Sequence, residues 1–358
     1  MRRATAGFTL VEVLVATAIT LIVTGLACAL AIDAQAAWRA DQARVDLQQR
    51  ARVAADTLSR ALHEAGAGAL TGPMRSGLVN VLPPVIPRRI GIRHADAFTA
   101  LRTDVVTLLH VASHAEPAEL LIASGAGATA LDISPSTCTL PACGLDAGEH
   151  VMVHDHAGNY DVFTITAVAG LTLAVRHHGS GSTVSYPAGS PVLAVEAASY
   201  SFDRAAKALR VYDGDASDFP ILDDVVGMSV EYAGVGLPPV WPKPAEGQEN
   251  CLYDAEGAYR TGLLPVLSED VSPVRLPPEL LVDGPWCGSG SNQFDADLLR
   301  IRRVRVLIRL QAPDASLRGS SPALFRHPGT GRGRGDTAPD VTVVVDVSPR
   351  NLGQGREP

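Results

Sequence analysis

One carboxylate in this chain stands where a charge is costly. Residues 8–32 form an apolar run in which Glu12 is the sole formal charge. About 25 residues at 1.5 Å each make a helix of roughly 37 Å, enough to cross a bilayer core with some tilt. An ionised carboxylate at that depth costs about 2.5–3.5 kcal/mol and calls for a partner. No Lys or Arg follows it until Arg39, while Arg2, Arg3 and then Gly7 precede the run. Cleavage between Gly7 and Phe8 would place a new α-amino group one helical turn before Glu12, in this chain or in a neighbouring one.

Other residues of reactive type lie further along. His150, His154 and His156 alternate along a predicted strand, with His177 and His178 about a hairpin away. Neutral imidazoles suit zinc, copper or nickel. Spacing alone places no acid or thiolate with them, and solvated edge histidines explain them as well. Asp213, Asp215, Ser217 and Asp224 fall at positions 1, 3, 5 and 12 of a calcium-loop spacing, but Asp218 stands in place of the turn Gly and Asp224 in place of the closing Glu. A plain Asp-Gly hairpin turn accounts for the same stretch. No metal or cofactor is therefore assigned, and Asp213, Asp215 and Asp224 are kept only as weak cation candidates.

Catalytic patterns are missing. GSGS at 179–182 and at 288–291 lacks the Gly-x-Ser-x-Gly elbow, and the Gly66-x-Gly68 pair follows a helix where a nucleotide loop would follow a strand. The expectation is a protein that is not an enzyme. Arg334-Gly335-Asp336 is a short tripeptide in a Gly-Arg loop and supports no site. The net charge of −8, with no broad basic stripe, argues against a nucleic-acid partner.

The elements that must position these residues divide into two kinds. From 34 to 65 the chain has no Gly or Pro, and Ala36, Ala40, Ala43, Leu47, Ala51, Ala54, Leu58, Ala61 and Ala65 recur at steps of four and three. That is an amphipathic helical stripe. Asp41, Asp46, Arg50, Asp56, Arg60 and Glu64 lie off it, and Gly66 supplies the stop. The spacing predicts one helix from the apolar run to Ala65. Beyond it come strand signals at 104–111, 119–124, 149–156, 160–168, 171–176, 190–202, 208–212, 224–232, 299–310 and 341–347, punctuated by Gly, Pro, Asn and Asp. The expected fold class is α+β: one long transmembrane and amphipathic helix, then a mostly antiparallel β domain. Its parts are a leader at 1–7, a membrane half at 8–33, an amphipathic half at 34–66 and a globular domain at 67–350. Within the last, 137–200 reads as a β insertion and 236–298 as a Pro-rich insertion.

Arg2 and Arg3 keep the N-terminus cytoplasmic, with the bulk of the chain outside the inner membrane. Five cysteines are present, Cys28 in the apolar run and four beyond it. An oxidising periplasm favours disulfides, nearest in sequence being Cys138–Cys143 and Cys251–Cys287. A four-thiolate metal site is the alternative, and the spacings do not resemble paired zinc knuckles.

MRRATAG followed by FTLVEVLVATAI resembles the type IV prepilin family, which includes the pseudopilins of type II secretion. The resemblance implies cleavage after Gly7 by prepilin peptidase and methylation of the new N-terminal Phe8. It also implies that Glu12 neutralises the terminal amine of an adjacent subunit during assembly, and that the long helix joins this chain to other pilins. Less specifically, ALRVYDGDASDFPILDDVVGMSVEY, FDADLLRIRRVRVLIRLQAP and VTVVVDVSPRNL are similar to segments of PilW-type minor pilins and J-type pseudopilins. J-type pseudopilins are usually much shorter, so the length leans towards a PilW-like minor pilin of a type IV pilus, with a type II secretion pseudopilin as the alternative.

Three other readings fit parts of the N-terminus. A secretory signal peptide would be cut near residues 29–31 or 34–36, but the apolar run is long and carries a charge. A lipoprotein site at Cys28 would have Gly25 where Leu is wanted. A simple membrane anchor, or a secreted binding or adhesin protein exported by this segment, leaves Glu12 unexplained.

Overall fold

The computed structural model describes residues 9–68, 78, 81–155, 157–178, 184–240, 243–244, 246–260, 262, 264–270, 272–332 and 335–353. A single α-helix, α1, runs from Leu10 to Glu64, 55 residues or about 82 Å at the standard rise. Its sequence explains its two characters. Residues 9–35 are exposed throughout, as expected of side chains made for lipid. From Ala36 the predicted stripe turns inward: Ala40, Leu47, Ala54, Leu58 and Ala65 are buried, whereas Asp41, Asp56, Arg60 and Glu64 are exposed. Gly66 takes a left-handed backbone with φ 73°, and its N–H leaves the helix to bond the Leu109 carbonyl at 2.9 Å.

The chain divides into two compact units. The first joins residues up to Ala51 with Leu310–Val341. In it Arg44 donates to the Thr337 carbonyl through Nε at 3.1 Å and through a terminal nitrogen at 2.5 Å. The 310–341 segment has little regular structure and is held by polar bonds. Gln311 bridges Asp340 (2.8 Å) and Arg318 (2.9 Å), and Ala338 N–H bonds the Leu317 carbonyl.

The second unit, Arg52–Arg309 with Thr342–Pro358, holds the sheets. The larger has ten strands: β1 Val85–Ile86, β2 Val105–Val111, β3 Ala118–Glu119, β4 Ala130–Asp132, β5 His150–His154, β6 Tyr160–Ala169, β7 Thr172–His177, β8 Pro191–Asp203, β9 Ala208–Tyr212 and β10 Asp218–Asp223. Strand β8 organises it. Its C-terminal half pairs with β2 (Val105 opposite Ser201) and β9 (Tyr212 opposite Ser199), and its N-terminal half with β5 (Val151 opposite Ala194) and β3. All of these pairings are antiparallel. A core of Leu131, Ile133, Val151, Val153, Phe163, Ile165, Leu173, Val175, Tyr186 and Val192 fills the 112–194 region.

A second sheet has the order β12-β11-β15-β16, made of β11 Val225–Gly234, β12 Val274–Leu276, β15 Ile301–Leu310 and β16 Val341–Val347. In β15, which falls within the strand predicted at 299–310, burial alternates: Val304, Val306 and Ile308 are fully buried while Arg303 and Arg305 face outward. Arg303 forms a two-pronged pair with Asp346 at 2.6 and 2.7 Å. A short ribbon of β13 Trp286–Cys287 and β14 Phe294–Asp295 lies in the Pro-rich insertion. Past α1, the helical elements among the described residues are short 3-10 turns.

One predicted strand is corrected. Residues 119–124 do not form a ladder; only Ala118–Glu119 pairs regularly, and Leu121 and Ile122 are exposed. The reason lies in where the backbone bonds go. Leu120 and Ser124 N–H bond the Ser190 and Tyr186 carbonyls of one loop, whereas Leu121 N–H bonds the Asp132 carbonyl of another segment, so the run is split between two partners.

Candidate functional site: the helix N-terminus and a polar row on the sheet

Helix α1 begins with a reciprocal cap. The Thr9 carbonyl accepts the first intrahelical bond from Val13, which makes Thr9 the capping residue. The Glu12 carboxylate, three residues on, accepts the Thr9 backbone N–H and the Thr9 hydroxyl, each at 2.9 Å. Glu12 N–H in turn reaches Thr9 Oγ1 at 3.3 Å. This capping box serves N–H groups that neither helix nor lipid would satisfy, and sets the negative group at the positive end of the helix dipole. Sequence reasoning missed this local partner for Glu12, although Thr-x-x-Glu ahead of an apolar run was its signal. Further along the run, Thr17 and Thr20 bond backwards to the carbonyls of Leu14 and Ala16 at 2.9 and 2.8 Å. Gly7 and Phe8 lie outside the described residues.

The four cysteines beyond α1 form Cys138–Cys143 and Cys251–Cys287, with Cα atoms 5.0 and 4.8 Å apart, and so form no four-thiolate site. Cys28 is a free, exposed thiol. In the Pro-rich insertion Asp283, Asp295 and Asp297 come together, but the fully buried Arg300 pairs with Asp297 and donates to the carbonyls of Gly236 (3.0 Å) and Pro265 (2.8 Å). Burial raises the Asp295 carboxyl to about 6. Arg300 thereby fastens the irregular loops, a structural role.

The histidines and aspartates separate in a way their spacing did not reveal. His150 lies opposite Thr164, and Thr164 opposite Arg176, so these three share one face of β5, β6 and β7. His178, two residues past Arg176, continues that face, and the rings of His150 and His178 meet edge-on at 4.7 Å. Asp215 arrives from the β9–β10 turn. Thr164 Oγ1 donates to it at 2.8 Å, and Arg176 donates to both its oxygens at 2.9 and 2.7 Å. Burial opposes ionisation of Asp215, yet Thr164 and Arg176 hold its carboxyl below the usual range. Burial, then the neighbouring His150, lowers His178 to about 4, so its imidazole is neutral at pH 7.

Asp213, Asp215 and Asp224 do not converge as a calcium loop would require among the described residues. The Asp213 carboxylate is turned inward, accepting the N–H groups of Asp215 (2.9 Å) and Ser217 (3.1 Å), and Asp224 lies past the end of β10 at φ 60°. The stretch folds as the hairpin that its Asp-Gly step also predicts. His177 points to the opposite face and bonds Asp161 at 2.8 Å, where Tyr186 and Asn292 donate as well. His154 is fully buried in β5, and His156 lies outside the described residues, as do 179–183 and Arg334. Thr164 and Arg176 were not anticipated; their strand register is the signal, and it is not visible before the pairing is known.

Compared with known proteins, residues 2–27 match the family described as the prokaryotic N-terminal methylation motif. A search of curated proteins gives no match.

Proposed function

From a chain that is prepilin-like at its N-terminus, we propose a minor pilin of a type IV pilus. The observation that carries this reading is the methylation motif at residues 2–27, seated on a 55-residue helix whose first half is apolar and uncovered. Prepilin peptidase cuts after Gly7, Phe8 is methylated, and the chain joins other pilins through α1. Glu12 is the group that receives a neighbour's terminal amine. Cleavage frees the amine one residue before Thr9, next to a carboxylate already turned towards the helix start. The bulk of the chain lies on the periplasmic side, a placement supported by the two disulfides and by the Arg pair ahead of the run. The protein acts as a low-copy structural subunit and as the substrate of an enzyme, without catalysis of its own. Its long β domain with two insertions favours the PilW-like minor pilin over a pseudopilin of type II secretion.

Intact-mass and N-terminal peptide analysis of the protein from membranes of its native host tests the reading. A chain beginning at Phe8 with one added methyl group is expected. A chain beginning near Ile32 or Ala37 would mean ordinary secretion and would overturn it. Recovery in sheared surface filaments then separates the pilus subunit from a pseudopilin.

A further inference from the structure

We propose that His150, His178 and Asp215 form a binding site for one divalent transition-metal ion of the zinc class. Three parts of the chain supply the ligands: the start of β5, the residue after β7 and the β9–β10 turn. One ligand atom from each lies within 4.8 Å of the other two. Around a tetrahedral zinc at 2.0–2.2 Å, donor atoms stand roughly 3.3–3.6 Å apart. Closing the set requires side-chain shifts of about an ångström and no movement of a strand.

Ligand type decides the class of ion. Calcium and magnesium take oxygen donors, whereas two imidazoles with one carboxylate suit zinc, with copper and nickel as competitors. The tautomer follows from the hydrogen bonds. Thr164 has one hydroxyl proton and gives it to Asp215, so the 2.7 Å contact with His178 is a donation from Nε2 to Thr164. His178 Nδ1 then offers its lone pair. It faces Gly214, where a β-carbon would stand 3.5 Å away. Thr164 orients both a histidine and the carboxylate, as outer partners of metal ligands do.

The turn that brings Asp215 is fixed in place. Gly91, at φ 125°, lies so close over Gly214 that no side chain fits between them. Ile92 N–H bonds the Gly214 carbonyl at 2.8 Å, and Arg93 N–H bonds the Tyr212 hydroxyl at 2.8 Å. Both His178 and Asp215 are 8 % exposed, while His150 is half-buried and lines a cavity of about 450 Å³. Arg176 competes for the carboxylate. Its side chain is 54 % exposed, so withdrawing to solvent costs it little. Bound metal would cross-link the 112–194 region to the β9–β10 hairpin.

The test uses full-length protein in detergent, free of any histidine tag and stripped with a chelator. One zinc per chain is expected by equilibrium dialysis and elemental analysis, together with a higher thermal midpoint. His150→Ala and Asp215→Asn should each weaken binding at least tenfold and abolish the rise in midpoint. Arg176→Ala should tighten binding. Cobalt loaded into the unmodified protein should give the visible absorption of mixed nitrogen and oxygen coordination, a readout that stands even if a variant fails to fold. Less than one zinc per chain, unchanged affinity in His150→Ala, or a cobalt spectrum of the hydrated ion would each overturn the site.

Discussion

The carboxylate of Glu12 grips Thr9 from both sides, accepting its backbone N–H and its hydroxyl at 2.9 Å each. A charge in an apolar helix thus has a local use that is independent of any partner chain. The two uses are separable by substitution. Glu12→Gln preserves an acceptor for the cap but removes the charge, while Glu12→Ala removes both. If pairing with a neighbour's amine drives assembly, both variants fail to enter filaments. If capping is the whole role, Glu12→Gln enters normally. Quantifying each variant in sheared filaments distinguishes them.

Thr9→Ala isolates the other half of the box. Loss of this cap should cost about 1 kcal/mol and fray the first turn. Amide hydrogen exchange in bicelles should accelerate at residues 10–13 and stay unchanged beyond Leu26.

Asp218 joins two arginines, Arg89 at 2.7 Å and Arg210 at 2.8 Å, with the Arg89 guanidinium 4.0 Å from the centre of the Tyr212 ring. Burial opposes its ionisation, but the two arginines hold its carboxyl below the usual 3.8. A depressed folded-state value gives stability that is present above about pH 4 and is lost as pH falls through that lower value. Asp218→Asn should cost about 2–3 kcal/mol at pH 7 and progressively less below pH 4. Urea unfolding across pH 3–7 measures the convergence.

The two disulfides should differ in weight. Cys251–Cys287 spans 36 residues and Cys138–Cys143 spans 5. On the chain-entropy account these correspond to about 4 and about 2 kcal/mol. Cys251→Ser with Cys287→Ser should therefore lower the thermal midpoint more, and should open the 236–298 loops to limited proteolysis. The other pair replaced in the same way should leave those loops protected.

Gly91→Ala would drive a methyl group into the Gly214 carbonyl and within 2.6 Å of the Tyr212 ring. Backbone strain and overpacking together predict a loss of about 2–4 kcal/mol, readable as a lower unfolding midpoint.

Local patterns were the legible part of this molecule. The step of four and three through Ala40, Leu47, Ala54 and Leu58 showed which side of α1 is buried, because helical period alone determines it. The alternation in β15 was equally direct. The polar row was not legible, since His150 and Thr164 become neighbours only through β5–β6 register and Asp215 through a turn 51 residues beyond Thr164. Residues 119–124 have the apolar composition of a strand, yet their backbone bonds are divided between 132–134 and 186–190, which composition does not reveal. The Thr9–Glu12 cap, by contrast, is local, three residues apart, and its signal is the Thr-x-x-Glu spacing.

The uncovered stretch of α1 from Leu10 to Gln35 has a consequence for traffic. Its side chains find no shelter within their own chain, so water is closed to it as a route between compartments. As the minor pilin proposed above, a copy would exchange lipid for neighbouring helices only where bilayer and filament touch. On that reading, the number of copies a filament holds would be decided at its base, at the moment of capture, and later arrivals from solution would not alter it.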